Sequence, residues 1–271
     1  MALSLSNDPY VYILLIPAIS AFFLYSEWPK VIGSAAPQAR EYSGIFAAIL
    51  AVALIMYGLL ALSFVKPPAE YVLSLKVACV LLVWTAAFAF CYGTRALRVA
   101  SFPLLLLLLM VPIPSNLMDK IIAGLQWGSA GATEGLFRLG GVPMFRVGVR
   151  FDLPGVSIEI AKECSSIHSG SALFISGLLM GHLFLRSLPA RVVLTLLTLP
   201  LAMLTNAVRI TTLWYLATRV DMGFLHGDLH HKGGIVFSVV SLSLLMGSLW
   251  LLRKLEGGGY VWDGLRPARN D

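Results

Sequence analysis

Residues 198–217 read TLPLAMLTNAVRITTLWYLA. This stretch of 20 residues carries one charge, Arg209, and an α-helix needs about 20 residues to cross the ~30 Å hydrocarbon core of a bilayer. The rest of the chain repeats the pattern. Of its 271 residues, 58% are hydrophobic and 13% charged, whereas a soluble domain carries roughly 25% charged residues. Too little polar surface remains to coat a globule in water. The composition therefore predicts an all-α polytopic membrane protein. Apolar runs near 9–27, 43–65, 71–92, 99–113, 165–186, 190–218 and 230–253 mark the spans. The run SFPLLLLLLMVPIP at 101–114 is short and proline-bracketed. It reads as a short tilted span or as a continuation of the helix through Arg98, so about seven or eight transmembrane helices are expected. The first run has no basic segment ahead of it and no clear small-residue cleavage site, so it reads as a permanent span.

The net charge of +6 does not point to nucleic acid, because the basic residues sit mostly at the ends of apolar runs. Arg95 and Arg98 follow the third run, Arg186 and Arg191 lie between the fifth and sixth, and Arg253 and Lys254 follow the last, with Arg266 and Arg269 beyond. Positive residues in short loops stay in the cytoplasm. That rule places all three clusters inside and the N-terminus outside. Residues 1–256 read as one transmembrane domain and 257–271 as a cytoplasmic tail.

Residues 115–163 break the apolar pattern. MDKIIAGLQWGSAGATEGLFRLGG at 118–141 suits an amphipathic helix lying at the membrane interface. VPMFRVGVRFDLPGVSIEI at 142–160 alternates apolar and polar residues around Asp-Leu-Pro-Gly, which predicts a β-hairpin turning at 153–155. Stranded backbone is not tolerated against lipid, so the segment is expected to form an outer-face cap.

Three cysteines, two of them in one apolar run, argue against a disulfide framework. Cys79 and Cys91 belong to one apolar run, whereas Cys164, in AKECSS at 161–166, precedes a span on the outer side. A helix N-terminus and a nearby cation both favour a thiolate, and first-turn amides can face an oxyanion. The bland alternative is an inert small residue at a helix cap. Arg209 costs at least about 2.5–3.5 kcal/mol at mid-bilayer on insertion scales. It is expected to face a polar interior with Asn206 on the same helix face, either as an electrostatic catalyst or as a clamp between helices. GFLHGDLHHKGGIVF at 223–237 places His226, Asp228, His230, His231 and Lys232 before the last span, again outside. A histidine there can take a thiol proton and return it to a leaving amine. A metal site from His226, Asp228 and His230 or His231, or a solvated loop, are the alternatives. His168 shares the helix face of Cys164, and Ser165 adjoins the thiol. His182, farther down the span, reads as a packing or cytoplasmic-end residue. A thiol, a guanidinium and an imidazole from three spans at one depth supply a nucleophile, a charge stabiliser and a proton carrier. No cofactor or resident metal is called for.

These motifs resemble the exosortase/archaeosortase family of membrane transpeptidase-like enzymes. The likeness runs from about Val111 to Arg253. It is carried by VPIP before the amphipathic helix, GVPMFRVGVRFDLPGVSIEIAKECSS, NAVRI, and HHKGG entering the last span. The resemblance implies Cys164 as nucleophile, Arg209 as the arginine after Asn, and His230 as the histidine before the glycines. His168, Asn206, His231 and Ser165 stand as supporting positions. Ser166 and His168 replace the glycine and arginine of the family's Cys-Ser-Gly-Ile-Arg pattern, and His168 would supply the missing donor. The resemblance also implies a substrate. It is an exported, membrane-anchored protein whose C-terminal tail has a short motif, one transmembrane helix and a basic end. The enzyme would remove that tail and pass the protein to an acceptor, in the inner membrane of a bacterium that makes exopolysaccharide. The other readings are a hydrolytic intramembrane cysteine protease and a non-enzymatic transporter or anion-binding membrane protein.

Overall fold

A computed structural model describes residues 12–35, 39–62, 68–154, 156–160, 167–219 and 234–257. They form eight α-helices, one 3-10 turn and one three-stranded sheet, in two compact units that divide between Met118 and Asp119.

The first unit holds α1 (Tyr12–Ser34), α2 (Ala39–Leu62), α3 (Ala69–Val99) and α4 (Ser101–Leu107), the last followed by a 3-10 turn at Leu108–Met110. Val31, Phe88, Ala96, Ala100 and Leu104 are buried together, with Trp28 packed edge-on to Tyr92 at 5.5 Å. The buried Ser20 hydroxyl donates to the Pro103 carbonyl at 2.7 Å, so neither group is left bare in apolar surroundings. α3 is broken at Gly93, whose φ of 84° is open to glycine and strained for other residues. The break falls where the sequence pattern ends the third run, and Arg95 and Arg98 lie beyond it. The leucine run does not make a span of its own. Ser101–Met110 rises only about 15 Å at 1.5 Å per residue, half the hydrocarbon core. Pro112 and Pro114 then end it. α5 (Ser115–Leu139) begins where the Ser115 amide and hydroxyl donate to the Glu70 carboxylate at 2.9 and 2.8 Å.

Among the described residues three helices are long and apolar enough to cross a membrane: α3, α7 (Leu188–Arg219) and α8 (Gly234–Leu255). Counting Ser101–Met110 with α5 as one broken span would make four. α2 and α6 (Ile167–Phe184) are apolar over Ala48–Gly58 and Ser169–Phe184, which are shorter.

In the second unit α5 buries Leu125, Ser129, Ala130, Thr133 and Phe137. The spacing of three and four residues makes a single stripe. That stripe packs on a sheet of β1 (Phe145–Val147), β2 (Arg150–Leu153) and β3 (Val156–Glu159), all antiparallel in the order β1-β2-β3. Phe137, Phe151, Leu153 and Ile160 form the buried core between them, with Ile210 and Trp214 of α7 against it. Leu153 pairs with Val156, so the chain reverses between these two residues, where the sequence pattern expects a turn. The expected hairpin is thus a three-stranded meander. A second turn at Gly148, where φ is +64°, adds β1.

β1 also reverses the usual alternation. Phe145 and Val147 are exposed while Arg146 faces inward. Arg146 is satisfied there by Glu134 at 2.6 Å and the Gly148 carbonyl at 2.7 Å, and it lies over the Trp127 ring at 5.4 Å. On the opposite face, the Ser157 hydroxyl and then Arg150 hold the Asp152 carboxyl below its ordinary range.

α6, α7 and α8 pack against one another, with α6 and α7 antiparallel. Gly170, Gly177 and Gly181 of α6 face Ala202, Thr198 and Arg191 of α7. Small residues let apolar helices approach closely where lipid supplies no hydrophobic drive. Leu173, Leu185, Leu194, Ala202, Leu245 and Leu249 fill the centre. At one end the Glu256 carboxylate, just past α8, accepts the Arg186 and Ser187 amides at 2.9 Å each and the Ser187 hydroxyl. Arg186, Arg191, Arg253 and Lys254 therefore lie at a common end of the bundle, as the charge pattern requires. Burial opposes the Glu256 charge, but the Ser187 hydroxyl and the two amides outweigh it and hold the carboxyl below its ordinary value.

Two outcomes follow from this packing. A Cβ at position 177 would lie 2.6 Å from Thr198 Cγ2, so Gly177→Ala should cost about 1–3 kcal/mol. Thermal unfolding in detergent measures this, and adding Thr198→Ser, which removes that methyl, should recover most of the loss. Because the Glu256 carboxyl is lowered in the folded state, its contribution is present above the ordinary carboxylate value and disappears as pH falls through the depressed one. The melting temperature of Glu256→Gln should therefore lie below that of the parent near neutral pH and converge with it in acid.

Candidate active site

One turn of α7 carries three polar side chains on one side of the helix. Thr205 Oγ1 accepts a 2.8 Å hydrogen bond from Ser241 of α8 and donates to the Leu201 carbonyl of its own helix. Asn206 Nδ2 donates to Ser129 Oγ of α5 at 3.1 Å. Arg209, one turn on, lines a cavity of about 20 Å³, room for one water-sized group. Ser169 of α6, Thr205 and Asn206 of α7, and Ser238 and Ser241 of α8 line it too, with Phe237 as its apolar wall. Thr205, Asn206, Ser129 and Ser241 are all at most 5% exposed, so these hydrogen bonds are made out of water, where a missing partner costs most. A guanidinium among hydroxyl groups in such a place is suited to stabilising negative charge.

The starts of two helices line this cavity. α6 starts at Ile167, and Ser169 is in its first turn; α8 starts at Gly234, and Ser238 is in its second turn. The antiparallel pairing of Gly170 with Ala202 leaves the end of α7 overhanging α6, and that overhang carries Ile210 and Trp214 to the cap core. On the cap side, Ile160 is held from two directions. Its amide donates to the Val149 carbonyl at 3.2 Å, and its carbonyl accepts from Gln126 Nε2 of α5 at 2.6 Å. The strand is thereby fixed four residues before Cys164.

Of the residues singled out in the sequence, Arg209 and Asn206 meet at the cavity. Cys164, Ser165, His230 and His231 lie outside the described residues, as do His226, Asp228 and Lys232. His168 has a described backbone in the first turn of α6, but its side chain is outside the description. His182 sits in the last turn of α6, at the end away from the cavity. Cys79 is buried, its thiol 3.6 Å from the Ala53 carbonyl, and Cys91 is exposed in α3. Among the described residues no group of three or more His, Cys, Asp or Glu could hold a metal; the metal reading at 226–231 lies outside them. The sequence reading missed Ser129, Ser169, Thr205, Ser238 and Ser241. Ser238 and Ser241 did leave a signal, two hydroxyls three residues apart on one face of an apolar helix.

The family model for transmembrane exosortases matches residues 4–247. The chain belongs to the transmembrane exosortase family. The match takes in the first hundred residues, where the sequence alone offers only generic spans, together with the cap, the Arg209 turn and most of α8. No curated protein and no solved structure matches the chain. For this exosortase, the polar cavity on α6, α7 and α8 is the candidate active site.

Proposed function

We propose that this exosortase is a cysteine transpeptidase that removes the C-terminal sorting tail of exported proteins, with Cys164 as nucleophile, Arg209 as charge stabiliser and His230 as proton carrier. The observation that carries the reading is that Arg209 lines one cavity with Ser169 and Ser238, each a few residues past a segment that holds a proposed partner. His230 takes the Cys164 proton, and the thiolate attacks the scissile carbonyl. The tetrahedral oxyanion collapses to a thioester as His230 gives its proton to the leaving amine. Arg209 favours the thiolate and the oxyanion, both anionic, over their neutral precursors. His230 then activates an acceptor nucleophile, which releases the protein from the thioester. His168, Asn206, His231 and Ser165 support the three. No cofactor takes part.

The chain crosses a bacterial inner membrane with seven or eight helices. The cap and cavity end lie on the periplasmic side, and the end that carries Arg186, Arg191, Arg253 and Lys254 lies in the cytoplasm. The substrate's own helix packs against these spans, with its basic end inside.

Cys164→Ala should insert normally yet leave a co-expressed substrate, bearing a motif, one span and a basic end, at its full length on an immunoblot. Processing at the parent rate would refute the nucleophile. Arg209→Lys retains charge but loses the planar fork and should lower processing at least about tenfold. Undiminished processing would reduce Arg209 to a point charge. The mass of the released product separates transfer to an acceptor from simple hydrolysis.

A further inference from the structure

Apolar packing is non-directional and fixes neither the rotation nor the slide of a helix very sharply, whereas hydrogen bonds do. α7 has two such bonds at one place. Thr205 is tied to Ser241 on α8 and Asn206 to Ser129 on α5, both from buried side chains. Arg209 follows these by four and three residues, so it sits one turn further on the same side of the helix. A rotation of about 20° at a side-chain radius of roughly 6 Å moves a group by about 2 Å. Errors of about 1 Å in a reacting constellation cost up to roughly a hundredfold in rate.

α5 adds a second constraint. Gln126, one turn before Ser129, holds the carbonyl of Ile160, the described residue nearest Cys164 on its N-terminal side. One turn of α5 therefore grips both the strand that leads to the proposed nucleophile and the turn of α7 that carries the proposed charge stabiliser.

We infer that Ser129 and Ser241 are positioning residues: through Asn206 and Thr205 they set the rotation of α7, and Ser129 with Gln126 sets the spacing between Arg209 and the strand that leads to Cys164. The inference rests on the proposed roles of Cys164 and Arg209, and its test keeps the two apart. With Cys79→Ala and Cys91→Ala, Cys164 is the sole thiol, and the pH midpoint of its alkylation by iodoacetamide reports its ionisation without any substrate. The other titratable or charged groups that flank Cys164 or lie in the segment of the proposed proton carrier are Lys162, Glu163, His168, His226, Asp228, His230, His231 and Lys232. All are kept in every variant, so a moved midpoint reports Arg209.

Arg209→Ala should raise the midpoint by about 1–3 units. Ser129→Ala and Ser241→Ala should each raise it in the same direction by about half a unit or more, and Ser241→Thr, which keeps the hydroxyl, should stay near the parent. If Arg209→Ala moves the midpoint and the two serine-to-alanine variants do not, the positioning inference falls and the proposed function stands. If Ser241→Thr shifts as far as Ser241→Ala, the effect is one of packing, and the inference falls. If Arg209→Ala leaves the midpoint where it was, the guanidinium does not act on the thiol, and both readings fall.

Discussion

A guanidinium carried on an apolar helix is the constraint around which the second unit is organised. Arginine cannot shed its charge and pays for its place at membrane depth with polar company. Around Arg209 that company is drawn from three other elements: Ser169 from α6, Ser238 and Ser241 from α8, and, through Asn206, Ser129 from α5. α6 and α7 approach closely because glycines of α6 meet α7, Gly170 against Ala202 and Gly177 against Thr198. The polar seam and the small-residue seam are two sides of one requirement. Helices that must share hydroxyl groups across an interface need interfaces without bulk.

The cap solves a different problem. Stranded backbone needs its hydrogen bonds met and its apolar side covered; the strands meet the first by pairing with one another, and α5 covers the apolar side. Its buried stripe supplies Ala130 and Phe137 to the sheet, and its polar residues reach what the stripe cannot: Gln126 to Ile160, Glu134 to Arg146, Ser129 to Asn206. For an exosortase this makes α5 more than a lid. It is in direct contact both with Ile160 at the end of the sheet and with the helix bearing Arg209.

Much of this was legible in the sequence, and the parts that were not share a physical cause. The membrane class follows from bulk composition, and the cap follows from charge and alternation that lipid would not accept. The reversal between Leu153 and Val156 follows from the Pro-Gly pair in the sequence. Arg209 and Asn206 stand out because their types are costly where they sit. β1 was hidden because it is only three residues long and its apolar residues face outward, an inversion that depends on Glu134, twelve residues away in sequence. The run at 101–114 looked like a span because leucine content says nothing of length once prolines cut it. Ser129, Thr205 and Ser241 were invisible as site residues for a simpler reason: a hydroxyl in an apolar helix can bond its own backbone at i−4, as Thr211 and Ser243 do. Only three-dimensional contact distinguishes those that bond a neighbour.

The Glu256 carboxylate closes the turn between α6 and α7 from a position some 70 residues later in the chain. Ribosomes deliver residues in order, so the α6–α7 hairpin enters the bilayer before its latch has been made. During synthesis the amides of Arg186 and Ser187 have only water or lipid headgroups as partners, until α8 has followed and brought the carboxylate to them. The latch is therefore local and polar, made at the ends of the helices and not along their apolar faces. It couples the arrival of α8 to the locking of a hairpin whose far end lines the polar cavity.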